Sequence, residues 1–452
     1  MSWDTDRIRN DFPVTRRRLT LADGRDVPLT FLDHGASTQP PQQVIDAVNR
    51  LMTDSYANVH RGNHRLSIES SDLFDGALES IHRFVNADAG QCVVPTQNTT
   101  MALDLAAHAM AEVPGVTAST FMEHHSNDLP HRRRGKVLHA EVDHMGRVDL
   151  DGMQVILDAG GVKLLAITGA SNVTGYMPPI HRLARMAHDA GARILIDAAQ
   201  LYAHAAIDLK PAGHPEHIDM LAVAGHKAYS PYGGAALIAD QELLDAAPPY
   251  MPGGGTVTWV ADESELYAKS PDRHTGGTPN IAGIVAFGAA TEYLAGIGME
   301  NVRAHEEELI GHGLRRFAEL EADHDGLHLM GPRDLHEKGA VFSFLPGLGG
   351  VTGHDAFSAT LDAQYGIATR NGCFCAHPLL HRLLELGDTS RWTEALSVGA
   401  PIELPGAVRA AVGLYNTQEE LDLLFTAVDD ILSGRTPVVQ ETQPVELSGL
   451  AS

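Results

Sequence analysis

From about Leu29 to Ile238, short apolar runs alternate with stretches of helical periodicity, and no other feature constrains the fold of this chain as strongly. Parallel strands need a crossover between them, usually a helix, so the alternation predicts βαβ units around a mostly parallel sheet. The expected strands are Cys92–Pro95, Val116–Met122, Lys163–Thr168, Arg193–Asp197, Met220–Ala224 and Ala235–Ala239. Ile45–Thr53, Ser67–Val85, Thr99–Ala111 and Arg182–Ala190 carry the helical spacing. The first 26 residues read as a short amphipathic helix followed by a connector. A Gly/Pro-rich stretch from Pro248 to Asn280 is too long for an ordinary connection and is expected to carry function. A long helical region, Ile281–Leu320, and a second α+β segment to about Leu432 follow, and the last 20 residues have no periodicity and predict a mobile tail.

A chain of 452 residues exceeds one compact core, so a large and a smaller lobe are expected. Its 58 acidic residues against 33 Lys and Arg give a formal charge of −25, which repels phosphate backbones and argues against a nucleic-acid partner. The N-terminus is charged and lacks a secretory apolar core, and no apolar run reaches the ~18 residues needed to cross a bilayer. Three cysteines, Cys92, Cys373 and Cys375, are too few and odd in number for a disulfide framework and suit a reducing cytoplasm. No second Cys or His pair accompanies Cys373 and Cys375 at ligand spacing, so no metal site is expected.

Candidate chemistry lies at predicted strand ends. The run Ile194–Gln200 places Asp197 at the carboxyl end of a buried strand, where open α/β sheets bind ligands. Asp197 could cap the following helix, or pair with a pyridinium nitrogen and keep that ring an electron sink, with Gln200 on its phenolic oxygen. Lys227 follows the apolar run Leu221–Ala224, and a lysine at the end of a buried strand is costly unless used. Partial desolvation lowers its pKa and frees the amine for Schiff-base chemistry, with His226 beside it for a phosphate. Asn98, Thr99 and Thr100 open an apolar helix, either as an ordinary cap or as a phosphate cradle. His124 lies just beyond a strand, where it could stack on a planar cofactor, and Asn172 is a polar group at another strand edge.

The ordered set FLDHGAST, ANVHRGNHRLS, NTTMALDL, EHHSN, SNVTG, IDAAQ, GHKAYSP, GGTPN, RNGCFCAHP and VRAAVGLYNT resembles the class V aminotransferase family, in its cysteine desulfurase/selenocysteine lyase branch. The resemblance runs from about Phe31 to Leu424. It implies a fold-type I, pyridoxal 5′-phosphate (PLP) dependent α/β enzyme. A mostly parallel sheet of the seven-stranded type would form a large domain at 27–295. Residues 1–26 and 296–434 would form a smaller α+β domain carrying the cysteine loop and the arginine clamp, with a tail at 435–452. A homodimer with active sites at the interface is implied as well.

Carried over position by position, Lys227 would hold the cofactor as a Schiff base, Asp197 would meet the pyridine nitrogen and His124 would stack on the ring. Gln200 and Asn172 would lie near the phenolic oxygen and the substrate. Thr99 or Thr100, with His226, would hold the phosphate, and Thr278 would reach the phosphate of the partner subunit. Arg409 matches the clamp on the substrate α-carboxylate, a task that suits a bidentate guanidinium. Ala36 would lie near the substrate, and Arg370, beside the substrate and the cysteine loop, would favour the Cys375 thiolate. Cys375 matches the nucleophile that takes sulfur from L-cysteine as a persulfide and leaves alanine, for onward delivery to an acceptor protein.

Three departures bear on the substrate. Ala224 stands where the family commonly has a serine hydroxyl on the phosphate. Cys373 and Phe374 replace residues that are usually His or polar. The segment between Cys375 and Arg409 is longer than in housekeeping desulfurases, an added flap that would be the first place to seek the pocket of another substrate. The alternatives are another PLP reaction on the same scaffold (a C–S or β-lyase, an epimerase or an aminotransferase) and a non-enzymatic assembly partner. If the loop is extended, Cys373 shares a side with Cys375 and could partly stand in for it.

Overall fold

The computed structural model describes residues 3–348, 350, 353–400 and 402–439. Seven strands form the central sheet: β1 Gln91–Thr96, β2 Val116–Thr120, β3 Val137–Ala140, β4 Val162–Thr168, β5 Arg193–Asp197, β6 Met220–Ala224 and β7 Ala235–Asp240. Their spatial order is β1-β7-β6-β5-β4-β2-β3, and only β7 runs antiparallel to its neighbours β1 and β6. Helices cover both faces, which is why β6 is buried at every residue and reads as an unbroken apolar run. The carboxyl ends of β1, β2, β4, β5 and β6 share one edge of the sheet, so the segments following them are delivered to one place. Ligands bind at this edge in open α/β sheets.

A second sheet contains β8 Leu327–Leu329, β9 Val341–Pro346, β10 Arg370–Gly372 and β11 Ala407–Ala411, in the antiparallel order β8-β9-β11-β10. The helices Met299–Asp323, His354–Tyr365 and Gln418–Leu432 supply its core, in which Phe317, Phe342, Phe344, Phe357 and Phe425 interlock. In the β10–β11 register Arg370 stands opposite Arg409, so both guanidinium groups leave the same face of the sheet.

Several expectations need correction. The connector after the first helix (Thr5–Asp11) contains a small hairpin of Arg18–Thr20 with Asp26–Pro28. The helical region beginning at Ile281 is two helices, Ile281–Ile297 and Met299–Asp323, bent by 77°. Gly298 makes the break with φ 87°, a conformation that only glycine adopts without strain. Strand β3 and the helices His125–Arg134 and Leu150–Asp158 escaped the sequence reading. Strand β3 is only four residues long, and the first helix contains Pro130 in a run of histidines and arginines with no apolar face. The Gly/Pro-rich stretch carries a hairpin, Val257–Ala261 with Ser264–Tyr267, that leaves Trp259, Val260 and Leu266 exposed.

Within the segment read as a mobile tail, residues 435–439 are tied down. Arg435 pairs with Asp430 at 2.6 Å, and the Val439 N–H donates to Thr360 Oγ1 at 2.9 Å. Residues 440–452 lie outside the described residues. No single helix among the described residues is long and apolar enough to cross a membrane.

Candidate active site

At the carboxyl edge of the central sheet a cavity of about 390 Å³ is lined by Lys227, Asp197, Gln200, His124, Asn172, Thr99, Thr100, His226, Ala36, Arg370, Arg409 and Cys375. Eleven of these residues come from seven separate chain segments between Ala36 and Cys375, and β11 adds Arg409. Thr278 is the one expected site residue that the fold does not bring here. It lines a different cavity of about 500 Å³, with His60, Arg61, Asp272 and Gly277.

Lys227 ends a single helical turn, Gly225–Lys227, that follows β6 directly. The turn packs close against the helix Ile281–Ile297, since a Cβ on Gly225 would lie 3.2 Å from the Phe287 ring. Burial and the positive charge of Arg409 push the Lys227 amine down to about 8, against the pull of Asp197. Asp197, the last residue of β5, accepts from the Ala199 N–H at 2.9 Å and is pushed upward by burial, with Lys227 pulling the other way. No helix follows β5, so this bond closes a turn and the expected helix cap is not there, which leaves the carboxylate as the charge partner of Lys227. Gln200 is 5% exposed, yet neither end of its amide has a partner. Buried polar atoms are nearly always satisfied, so this amide is poised for a ligand.

The helix Thr99–Ala109 points its N-terminus at the cavity, and Asn98 caps it by accepting from the Met101 N–H at 2.9 Å. Thr100 Oγ1 and Ser126 Oγ lie 2.7 Å apart and both line the cavity. Free N–H groups with hydroxyls and His226 make an anion cradle. Ala224 is fully buried and adds no hydroxyl, but Ser126, unremarked within EHHSN, does. His124 accepts from the Ser126 N–H at its Nδ1, and burial, Lys227 and His125 push it down to about 4, so the ring is neutral.

Arg409 is 3% exposed, and burial pushes it down to about 10. Its Nη1 donates to the Asn172 carbonyl at 3.0 Å, its Nη2 lies 3.5 Å from Asp33, and its Nε has no partner. Asp33 also accepts from Arg370 at 2.7 Å and so holds the two arginines side by side. Gly35 makes this possible, since a Cβ there would lie 2.9 Å from the Arg409 guanidinium carbon. Two further side chains clamp the Asn172 loop: Ser343 donates to the Val173 carbonyl at 2.5 Å, and Lys338 to that of Thr174 at 2.7 Å. Lys338 is fully buried and is pushed down to about 7 by that burial. Nothing in the local sequence around Asp33, Ser343 or Lys338 announces these roles.

The two loop thiols are not equivalent. Cys375 is exposed and lines the cavity, whereas Cys373 packs against the main core cluster. The loop is not extended, because Phe374 and Cys375 take φ of 54° and 56°, and the alternation that would align the thiols is lost. The added flap folds partly on itself through Trp392 Nε1, which donates to the Glu403 carbonyl at 3.2 Å. None of its described residues between Ala376 and Val408 lines the cavity.

Residues 30–424 match the Aminotransferase class-V family. The chain belongs to that family. A cysteine desulfurase from Haloferax volcanii is 34% identical over 443 residues, covering 94% of this chain and 96% of the relative. Another, from Synechococcus elongatus, is 33% identical over 96% of this chain, but this chain spans only 64% of that relative's length. The solved apo cysteine desulfurase of Thermococcus onnurineus superposes with a TM-score of 0.82 at 29% identity, over 96% of this chain and 99% of that one. The class V aminotransferase fold is thus fold type I, and the family is PLP-dependent. The lysine, the strand-end carboxylate, the unpartnered amide and the anion cradle fit that cofactor.

Proposed function

We propose that this protein is a PLP-dependent cysteine desulfurase that converts L-cysteine to L-alanine and passes the sulfur to Cys375 as a persulfide. One observation carries the reading: Cys375 shares a cavity with Lys227, Asp197 and Arg409, so a thiol stands beside a complete amino-acid site. Relatives named as cysteine desulfurases support it.

PLP, held through Lys227, Asp197, Gln200, His124, Asn172, Thr99, Thr100 and His226, would supply the electron sink that lets the substrate α-carbon lose its proton. Arg409, with Arg370 and Ala36 beside it, binds the α-carboxylate and sets the sulfur toward Cys375. Lys227 takes the α-proton. The Cys375 thiolate takes the substrate sulfur, so that an S–S bond forms as the C–S bond breaks, and Lys227 returns a proton to the carbon side. A second copy of the chain would complete the Thr278 cavity, and the exposed Trp259 hairpin supplies apolar surface for that contact. We place the enzyme in the cytoplasm, where Cys375 stays reduced and an acceptor protein can collect the sulfur. The inserted flap, which would argue for another substrate, contributes no described residue to the cavity wall.

Product analysis tests this reading. L-cysteine with a reductant should give alanine and sulfide in equal amounts. Pyruvate and ammonia would indicate a lyase, D-cysteine an epimerase, and 3-mercaptopyruvate formed only when a keto-acid acceptor is added an aminotransferase, and any of these as main product would overturn it.

The lowered pKa of Lys227 gives a pH prediction. The neutral amine grows about tenfold per pH unit below its pKa and saturates above it. Capture of added PLP by the cofactor-free protein, followed by absorbance, should therefore accelerate about tenfold from pH 6 to pH 7 and level off above pH 8. Borohydride should then fix the cofactor on the Lys227 peptide, and labelling of another lysine would overturn the assignment.

A further inference from the structure

Phe374 joins two parts of the site that the mechanism uses separately. Its ring is 8% exposed and faces the Arg409 guanidinium, with the guanidinium carbon 4.9 Å from the ring centre. The Phe374 carbonyl accepts from Asn172 Nδ2 at 2.8 Å, and the Asn172 carbonyl accepts from Arg409 Nη1 at 3.0 Å. Ring, guanidinium and amide thus close a circuit of three residues, all on the cavity wall.

The backbone of the same residue forms the turn that presents the nucleophile. Phe374 and Cys375 are consecutive left-handed residues, each strained without glycine, so the turn must be held from outside. Asn172 holds the first carbonyl, and the His125 N–H holds that of Cys375 at 2.8 Å.

We propose that Phe374 is a positioning residue that couples the carboxylate clamp to the nucleophile. Its ring fixes the plane of Arg409, leaving the unpartnered Nε edge to form the bidentate fork. Its carbonyl, through Asn172, fixes the turn that directs Cys375 into the cavity. A flat apolar face serves this purpose because a guanidinium stacks on it without losing its in-plane donors. The departure at this position, from the family's usual His or polar residue to Phe, thereby becomes part of substrate recognition. This inference rests on the desulfurase reading.

The cofactor-loaded protein provides the test, with L-alanine as a sulfur-free amino acid. Affinity is read by absorbance titration, and Cys375 accessibility by iodoacetamide labelling and peptide mass spectrometry. Phe374→Leu, which removes the planar face, should weaken L-alanine about tenfold, and Phe374→Tyr should stay within twofold of wild type. Combined with Arg409→Lys, Phe374→Leu should add little further loss, because both act through one clamp. Saturating L-alanine should slow Cys375 labelling in wild type and Phe374→Tyr but not in Phe374→Leu. If circular dichroism shows Phe374→Leu unfolded, Phe374→Met is read the same way. Wild-type affinity and labelling in the leucine variant, or additive losses in the double variant, overturn the inference alone. A wild type that binds L-alanine but releases no alanine from cysteine removes the desulfurase reading instead.

Discussion

Cys375→Ala should lower alanine release from L-cysteine by orders of magnitude while leaving cofactor absorbance and the spectral response to L-alanine in place. Cys375 makes none of the contacts proposed for the cofactor, and removing its thiol deletes only the acceptor of sulfur. Cys373→Ala should change turnover little, because that thiol packs against the core cluster instead of lining the cavity. The pair of variants separates the desulfurase reading from every other PLP chemistry on this scaffold, since a lyase, an epimerase or an aminotransferase has no use for a second thiol. Near-normal alanine release from Cys375→Ala would mean that sulfur leaves by another route.

Asp197→Asn should reduce turnover on any amino-acid substrate about a hundredfold or more. The variant keeps the side-chain oxygen that accepts from the Ala199 N–H, so β5 and the turn after it should stand. What it loses is the buried negative charge that offsets Lys227 and the proposed pyridinium. Only the part of that charge interaction that strengthens as electrons move into the ring affects the rate, and a hundredfold loss corresponds to about 2.7 kcal/mol of transition-state stabilisation. The Cys375 labelling rate should be unaffected. Steady-state alanine release measures the first effect and peptide mass spectrometry the second. Turnover within a few-fold of wild type would contradict the electron-sink role.

The sequence made the residues at strand ends legible. Asp197 and Lys227 each end an apolar run that can only be a covered strand, and the fold brings both to one edge of the sheet. Asn98 to Thr100 announced themselves by standing where polar residues give way to an apolar helix. Pairings between distant segments left no local trace. Asp33 meets Arg370 and Arg409 more than 330 residues away in the chain, and Lys338 meets Thr174 across 164. Cys373 could partly stand in for Cys375 only if the loop were extended, and two left-handed residues remove that possibility. The flap between Cys375 and Arg409 attracted attention by its length, which says nothing about which way it folds. Strand β3 and the helix His125–Arg134 stayed hidden because an edge strand and a polar helix carry weak hydrophobic periodicity.

Transfer of the sulfur to Cys375 can be read on the protein itself, by brief exposure of the cofactor-loaded wild type to limiting L-cysteine without reductant, then digestion and mass spectrometry. One additional sulfur atom should appear on the peptide carrying Cys375, lost on treatment with a reductant, with a matching amount of alanine released. Alanine release with the extra sulfur on Cys373 or Cys92, or with no sulfur on the protein at all, would contradict that transfer.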